Sequence, residues 1–424
     1  MASRTQEETE GRGLLAPMTA SPLDVDVDDT DPRRRELRQW LAEHPHPDGR
    51  TLADAGLVAP QWPAPWGRDA DAAYQLLIAD ELNRAGVVRP INPIGIGWAG
   101  PTILFAGTRE QRDRWLPGLL SGDEFWCQLF SEPGAGSDLA ALTTSAHLDG
   151  DEWVITGQKV WTSYAHIATW GILLARTSTD GPAQRGISYF VCPMKAPGVT
   201  VRPIIDMTGD HAFNEVFLDG VRLPADLLVG EVNNGWSLAK VTLGNERVSL
   251  SGEGALWGQG PTAGDLVDLV REAGGTSDAR LRQRLVQVWA EGEILRLIRL
   301  RTVSAAVAGR APGPEASVRK ALADDHGQHV MEVAKDLSGA YGLTDAGPLE
   351  ALGARRAADG QTVNGQSVDG RSAGGGPPAG AGHRWPPAIW SHGYLFARAL
   401  TIGGGTAEVQ RNIIAERVLG LPSS

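Results

Sequence analysis

Only two cysteines, Cys127 and Cys192, occur among 424 residues. That excludes a disulfide framework and fits a reducing, cytoplasmic setting. No apolar run reaches membrane-spanning length. The opening MASRTQEETEGRG lacks the basic-then-apolar order of a secretory signal. Positive charge is in deficit: 39 Lys and Arg stand against 51 Asp and Glu, a net charge of −12. Such a balance argues against a nucleic-acid partner. G-x-S-x-G, H-E-x-x-H and C-x-x-C are all missing, which leaves hydrolase and zinc chemistry without a motif. The two histidines of HGQH (326–329) sit one turn apart with no marked third ligand. They read as a solvated helix face, and no metal is expected.

What is present is a chain of ordinary globular composition, 42% hydrophobic, long enough for two or three packed layers. Residues 1–30 are polar and acidic, with DVDVDD at 24–29, and read as a mobile tail. A helical domain is expected over 31–125. In ADAAYQLLIADELNRAG (70–86), Ala73, Leu76, Leu77, Ile78 and Leu82 fall along one stripe. Short runs rich in β-branched and aromatic residues follow, among them EWVITGQKVW, WGILLART, GISYFVCPM and FNEVFLDGVRLP. They define a β-domain over 126–232, with DGDE (149–152) as a hairpin tip. Helical periodicity returns over 233–424. The segment 281–309 turns Leu281, Leu285, Val288, Leu295 and Ile298 inward, and 318–342 turns Val318, Leu322, Val330, Val333 and Leu337 inward. Between them and the last helix (407–419) lies a Gly-rich insertion at 359–384 that cannot pack a core. Helices, then strands, then helices give an α+β fold.

Three stretches bear on chemistry. GIGWAG (95–100) has dinucleotide-loop spacing but follows a helix and is flanked by prolines, so a Rossmann site is not supported. In CQLFSEPGAGSDLAAL (127–142), Pro133, Gly134 and Gly136 hold an irregular loop open. Ser131, Ser137 and the backbone amides could donate to a planar polar ring or an acyl carbonyl; a plain inter-domain loop would look the same. In GQKVWTSYAH (157–166) an indole, Trp161, stands beside two hydroxyls. That suits the face and edge of an aromatic cofactor, and equally a core tryptophan.

Together SEPGAGSD and KVWTS, in this order and spacing, resemble the acyl-CoA dehydrogenase family of flavoproteins. The likeness extends from about Arg33 to Pro422 and includes MTGDHAFNEVFLDGVRLPADLLVGEVNNGWSLA (207–239) and the terminal GGGTAEVQRNIIAERVLGLP. It implies an N-terminal helical domain, a β-barrel-like middle domain and a C-terminal four-helix bundle. FAD is the implied cofactor. Gln128, Phe130, Ser131, Gly136 and Ser137 would line it, with Phe130 and Ser131 nearest the ring. Trp161, Thr162 and Ser163 would cover its face. Gly404, Gly405, Thr406 and Glu408 would meet it at the last helix, where Thr406 is a plausible N-cap. The implied reaction removes an α-proton and a β-hydride from an acyl-CoA thioester, and electrons pass on to an electron-transfer flavoprotein.

Many relatives carry a glutamate as base at the position of Gly404. In the isovaleryl-, long-chain- and steroid-type subset the base lies on a third-domain helix, within a Glu-Arg pair. TLGNERVSLSG (242–252) supplies that pair, so the resemblance makes Glu246 the base and Arg247 its positioning or ligand-contacting neighbour. A carboxylate partly covered by an acyl chain would titrate nearer neutrality, as a proton acceptor needs. Ser137, Arg247 and the Gly404 amide would touch the thioester. Two departures bear on assembly. Residues 257–275 lack the R-x-x-F-G stretch whose arginine grips FAD of a neighbouring subunit, and DLSGAYG (336–342) has Asp336 where relatives have glutamine. A homodimer or tetramer, or a heterotetramer with a related subunit, is expected. A flavin-sharing partner subunit and an oxidase or monooxygenase on the same fold remain alternatives.

Overall fold

The computed structural model describes residues 30–250, 254–272, 275–308, 315–338 and 388–422. The acidic tail, the 359–384 insertion and residues 339–342 of DLSGAYG lie outside them. The chain separates into two compact units. One is Met1–Ser249 with Ala306–Arg310, and the other is Leu250–Ala305 with Ala311–Ser424.

In the first unit, helices α1 (Pro32–Glu43), α2 (Gly49–Asp54) and α3 (Ala72–Arg84) begin at side-chain caps from Asp31, Asp48 and Asp71, which satisfy amides that a helix start leaves unpaired. Arg34 is buried and reaches from α1 to Asp80 at 2.6 Å and to Glu81. GIGWAG forms a π-helical turn (Gly95–Ala99) that runs into α4 (Gly100–Ala106). That rules out a phosphate loop there. Helix α5 (Arg109–Ser121) opens with a Thr108/Gln111 capping box and closes at Gly122, φ 80°. Gln111 also donates to the carbonyls of Asp226 and Leu228, both at 2.7 Å, joining α5 to the β-domain.

The eight strands are β1 (Trp126–Leu129), β2 (Ser145–Asp149), β3 (Glu152–Ser163), β4 (Trp170–Arg176), β5 (Ile187–Pro193), β6 (Val199–Ile204), β7 (Phe213–Pro224) and β8 (Leu228–Val229). They form one mixed sheet in the order β6-β7-β3-β2-β4-β5-β8, with β1 parallel to β4 off that path. DGDE is the β2–β3 hairpin tip, pairing Asp149 with Glu152. Strand β3 shifts register against β7 between Lys159 and Thr162. Helix α6 (Gly235–Leu250) follows the sheet.

The second unit holds α7 (Ala263–Glu272), α8 (Ala279–Val307), α9 (Glu315–Ser338), α10 (Ala388–Phe396) and α11 (Ala407–Ile413). The order of elements is the expected α+β one. Helix α9 corrects the sequence reading in two places. Leu322 is exposed, while Lys320, Asp324 and His326 are buried. Lys320 and Asp324 can face inward because they neutralise each other at 2.6 Å. His326 and His329 both meet Glu291 of α8, at 3.3 and 3.0 Å, so HGQH joins two helices, with His326 buried and His329 still partly in solvent. No cluster able to hold a metal ion occurs among the described residues.

Candidate active site

The SEPGAGSD loop is organised by one buried carboxylate. Glu132 accepts from the Thr143 amide (2.7 Å) and hydroxyl (2.8 Å), the Thr144 amide (2.9 Å) and Lys159 Nζ (2.8 Å). Lys159, on β3, also donates to the Phe130 carbonyl at 3.1 Å and is 0% exposed. Burial alone would raise the Glu132 carboxyl, but the Lys159 charge and these hydrogen bonds outweigh it and hold the group at about 2. Burial draws Lys159 down to about 8, opposed by the same carboxylate, so it stays charged at neutral pH. The Glu132 and Ala135 backbones bond to each other at 3.0 Å in both directions, closing a tight loop. Gly136 and Ser137 are left exposed on its outer side. The Phe130 ring does not follow them. It is buried edge-on to Tyr189 with centroids 6.0 Å apart.

The KVWTS segment occupies the irregular end of β3. Trp161 has φ 59°, a left-handed conformation uncommon for a bulky residue. Its indole is 60% exposed, braced edge-on by Phe213 at 5.9 Å. Thr162 is buried and its Oγ1 has no partner among the described residues. Asn214, which the sequence did not single out, fixes this corner by donating to the carbonyls of Thr162 (3.1 Å) and Ala212 (3.3 Å). Ser163 ends the strand, half-buried.

Glu246 lies on the inward face of α6 and is 7% exposed. Thr242 and Ser249, four before and three after it, share that face. Thr242 bonds Thr102 at 2.8 Å and Tyr189 at 3.1 Å, and Ser249 accepts from Trp98 Nε1 at 2.7 Å. The π turn and α4 thus fix α6 on both sides of Glu246. Gln128 of β1 donates to Glu246 Oε2 at 3.2 Å, while Gln128 Oε1 is buried without a partner among the described residues. Arg247 is half-buried on the neighbouring face.

The remaining residues singled out belong to the second unit. Gly404 (φ 71°) and Gly405 (φ 92°) form a left-handed turn. Their amides have no acceptor among the described residues, and their carbonyls accept from Gln410 Nε2 at 3.0 and 3.2 Å. Thr406 caps α11 through the Val409 amide. Backbone amides at the helix start hold the exposed Glu408 carboxyl below its ordinary value. A Cβ at Gly403 would lie 2.4 Å from the Trp257 ring. A Cβ at Gly404 would lie 2.7 Å from Leu250 Cδ1 and 3.0 Å from Lys320 Cε. Asp336 pairs with Arg284 of α8.

Models of the acyl-CoA dehydrogenase N-terminal, middle and C-terminal domains match residues 28–123, 127–221, and 233–360 with 378–419. The chain belongs to the acyl-CoA dehydrogenase family. It is 39% identical to acyl-CoA dehydrogenase IpdE1 of Mycobacterium tuberculosis over 91% of this chain and 88% of that protein. It is 41% identical to acyl-CoA dehydrogenase FadE34 of the same organism, of whose length it spans 45%. Among solved structures it resembles the Tcur3481-Tcur3483 steroid ACAD, with TM-score 0.69 and 28% identity over 94% of this chain and 100% of that one. It also resembles the ChsE4-ChsE5 complex from Mycobacterium tuberculosis, with TM-score 0.65 and 29% identity over 94% of this chain and 100% of that one. Membership of this acyl-CoA dehydrogenase family makes the chain a flavoprotein oxidoreductase.

The first unit of this acyl-CoA dehydrogenase family member fits a flavin. An exposed, braced indole offers a stacking face, and two buried polar atoms, Gln128 Oε1 and Thr162 Oγ1, lack partners among the described residues. The Glu132–Lys159 pair escaped the sequence reading, although both residues stand inside the two motifs. The signal was there: a carboxylate and an ammonium within otherwise apolar or small-residue stretches.

Glu132→Gln will lower stability at neutral pH by about 3 kcal/mol, because Lys159 loses its counter-ion while remaining buried. The native Glu132 carboxyl lies below its unfolded value, so its contribution is present above about pH 4.5 and fades toward pH 2. Urea midpoints measured across that range should therefore slope less in the variant than in the wild type. Gly404→Glu will lower the melting temperature and give no gain in turnover. Left-handed backbone costs a non-glycine residue ~1–2 kcal/mol, and Leu250 and Lys320 occupy the side-chain space. Calorimetry beside an acyl-CoA assay checks both halves of that expectation.

Proposed function

We propose that this chain is an active, FAD-dependent acyl-CoA dehydrogenase that uses Glu246 as the base. The carrying observation is a carboxylate on the inner face of α6, nearly out of solvent and held by Gln128 at 3.2 Å. A solvated helix charge would not be anchored by a strand residue, nor flanked by hydroxyl contacts one turn to either side. Bound FAD supplies the two-electron acceptor for hydride from the β-carbon. Glu246 removes the α-proton. Gln128 keeps the carboxylate in one orientation, and α4 keeps α6 from rotating. The Gly404 amide, without an acceptor among the described residues, donates to the thioester oxygen as negative charge grows on it. Ser137 and Arg247 complete the contacts to the thioester. Trp161 would stack on the isoalloxazine, and Thr162 and Ser163 would bond its edge.

A base carried on a helix, together with the steroid ACAD relative, favours a bulky or branched acyl group on coenzyme A. Electron-transfer flavoprotein is the proposed acceptor. The missing R-x-x-F-G arginine favours a second reading, in which this chain shares a flavin site with a related subunit in a heteromer. The resemblance to the ChsE4-ChsE5 complex supports considering it.

The purified protein, alone or with a co-expressed related subunit, should bind FAD. Glu246→Gln should retain the flavin yet lose anaerobic bleaching by an acyl-CoA panel by at least ~100-fold in rate. Wild-type bleaching rates in that variant would assign the base elsewhere. A protein that takes up no FAD in either preparation would remove the cofactor from the reading.

A further inference from the structure

Lys320 is 0% exposed and its side chain runs beneath the Gly403–Gly405 turn. Its ammonium donates to both oxygens of Asp324, at 2.7 and 2.6 Å, and to the Leu400 carbonyl at 3.1 Å. Three acceptors consume its three protons. Lys320 is therefore a fixed cation with no proton left to give. Asp324, 2% exposed, has both oxygens spent on Lys320 and is not a free base. The ammonium nitrogen is 3.7 Å from where a Cβ of residue 404 would stand, and Leu400 immediately precedes the turn. Removing two charges from water is costly, and an apolar pair of equal volume would fill the same space without that cost. The position of the cation is what such a pair would not supply.

We infer that Lys320 is a positioning residue for the reaction: it holds the 400–405 turn through the Leu400 carbonyl and sets a positive potential at the Gly404 amide, so that an acyl oxygen bound there accepts negative charge more readily. The inference rests on the reading of Gly404 as the thioester's donor. A charge a few ångströms away in a water-poor interior acts strongly on a developing anion. Lys320 also occupies the space that a side chain at 404 would need, so the turn in this chain is built around a cation and not a carboxylate.

The test uses the FAD-loaded enzyme and acetoacetyl-CoA, whose carbon between two carbonyls ionises to an absorbing enolate. Titrating the bound probe against pH gives its ionisation constant. Lys320→Met should lower that constant at least about tenfold, Lys320→Arg should keep it within about threefold, and Asp324→Asn should raise it. A merely structural role would weaken probe binding without moving the constant. An unchanged constant in Lys320→Met overturns the inference. If that variant yields no folded holoenzyme, Asp324→Asn decides, and a constant equal to or below wild type overturns it. A wild-type enzyme that binds the probe but never ionises it instead overturns the reading of Gly404, a separable failure.

Discussion

One buried ion pair, Glu132–Lys159, fixes the candidate site. The loop after β1 and the end of β3 are separated by about two dozen residues and carry different parts of the proposed flavin contact. Neither has a regular conformation of its own: one is a glycine-rich loop and the other a register shift ending in a left-handed tryptophan. Irregular backbone of this kind is costly unless its surroundings over-determine it. Glu132 does so by accepting four hydrogen bonds at once, and Lys159 adds the Phe130 carbonyl. The exposed faces of Gly136, Ser137 and Trp161 are then presented by a rigid interior.

The same device recurs in the second unit. The chain has five lysines, and two of them, Lys159 and Lys320, are wholly buried. Each is neutralised by one carboxylate and spends a further proton on a backbone carbonyl beside an irregular turn. Long flexible ammonium groups are normally left in water. Here they serve as internal pegs, and the cost of desolvating them is offset by their ion pairs and hydrogen bonds. The second peg bears on the three-glycine turn: the space beside Gly404 is filled by Lys320 and Leu250.

The order of elements, the hairpin tip, the helix caps and the rejection of a dinucleotide loop at GIGWAG were legible because they rest on local patterns. Periodicity, turn residues and N-cap residues act over a few positions. The resemblance drawn from SEPGAGSD and KVWTS was legible for the same reason. Leu322 and His326 went wrong in opposite directions. Apolar spacing put Leu322 inside and polarity put His326 outside, but Asp324 and Glu291 lie where each polar partner can be buried and satisfied.

By itself the sequence determined the family and the α+β order, because each follows from residue types at short spacing; the weighing of Glu246 over Gly404 came from the resemblance. Tertiary structure decided which charges are inside. It brought Gln128 to Glu246, Glu132 to Lys159 and the 400–404 turn to Lys320, pairings separated by tens to more than a hundred positions. Whether a charged side chain can be buried depends on a partner that only the folded chain supplies.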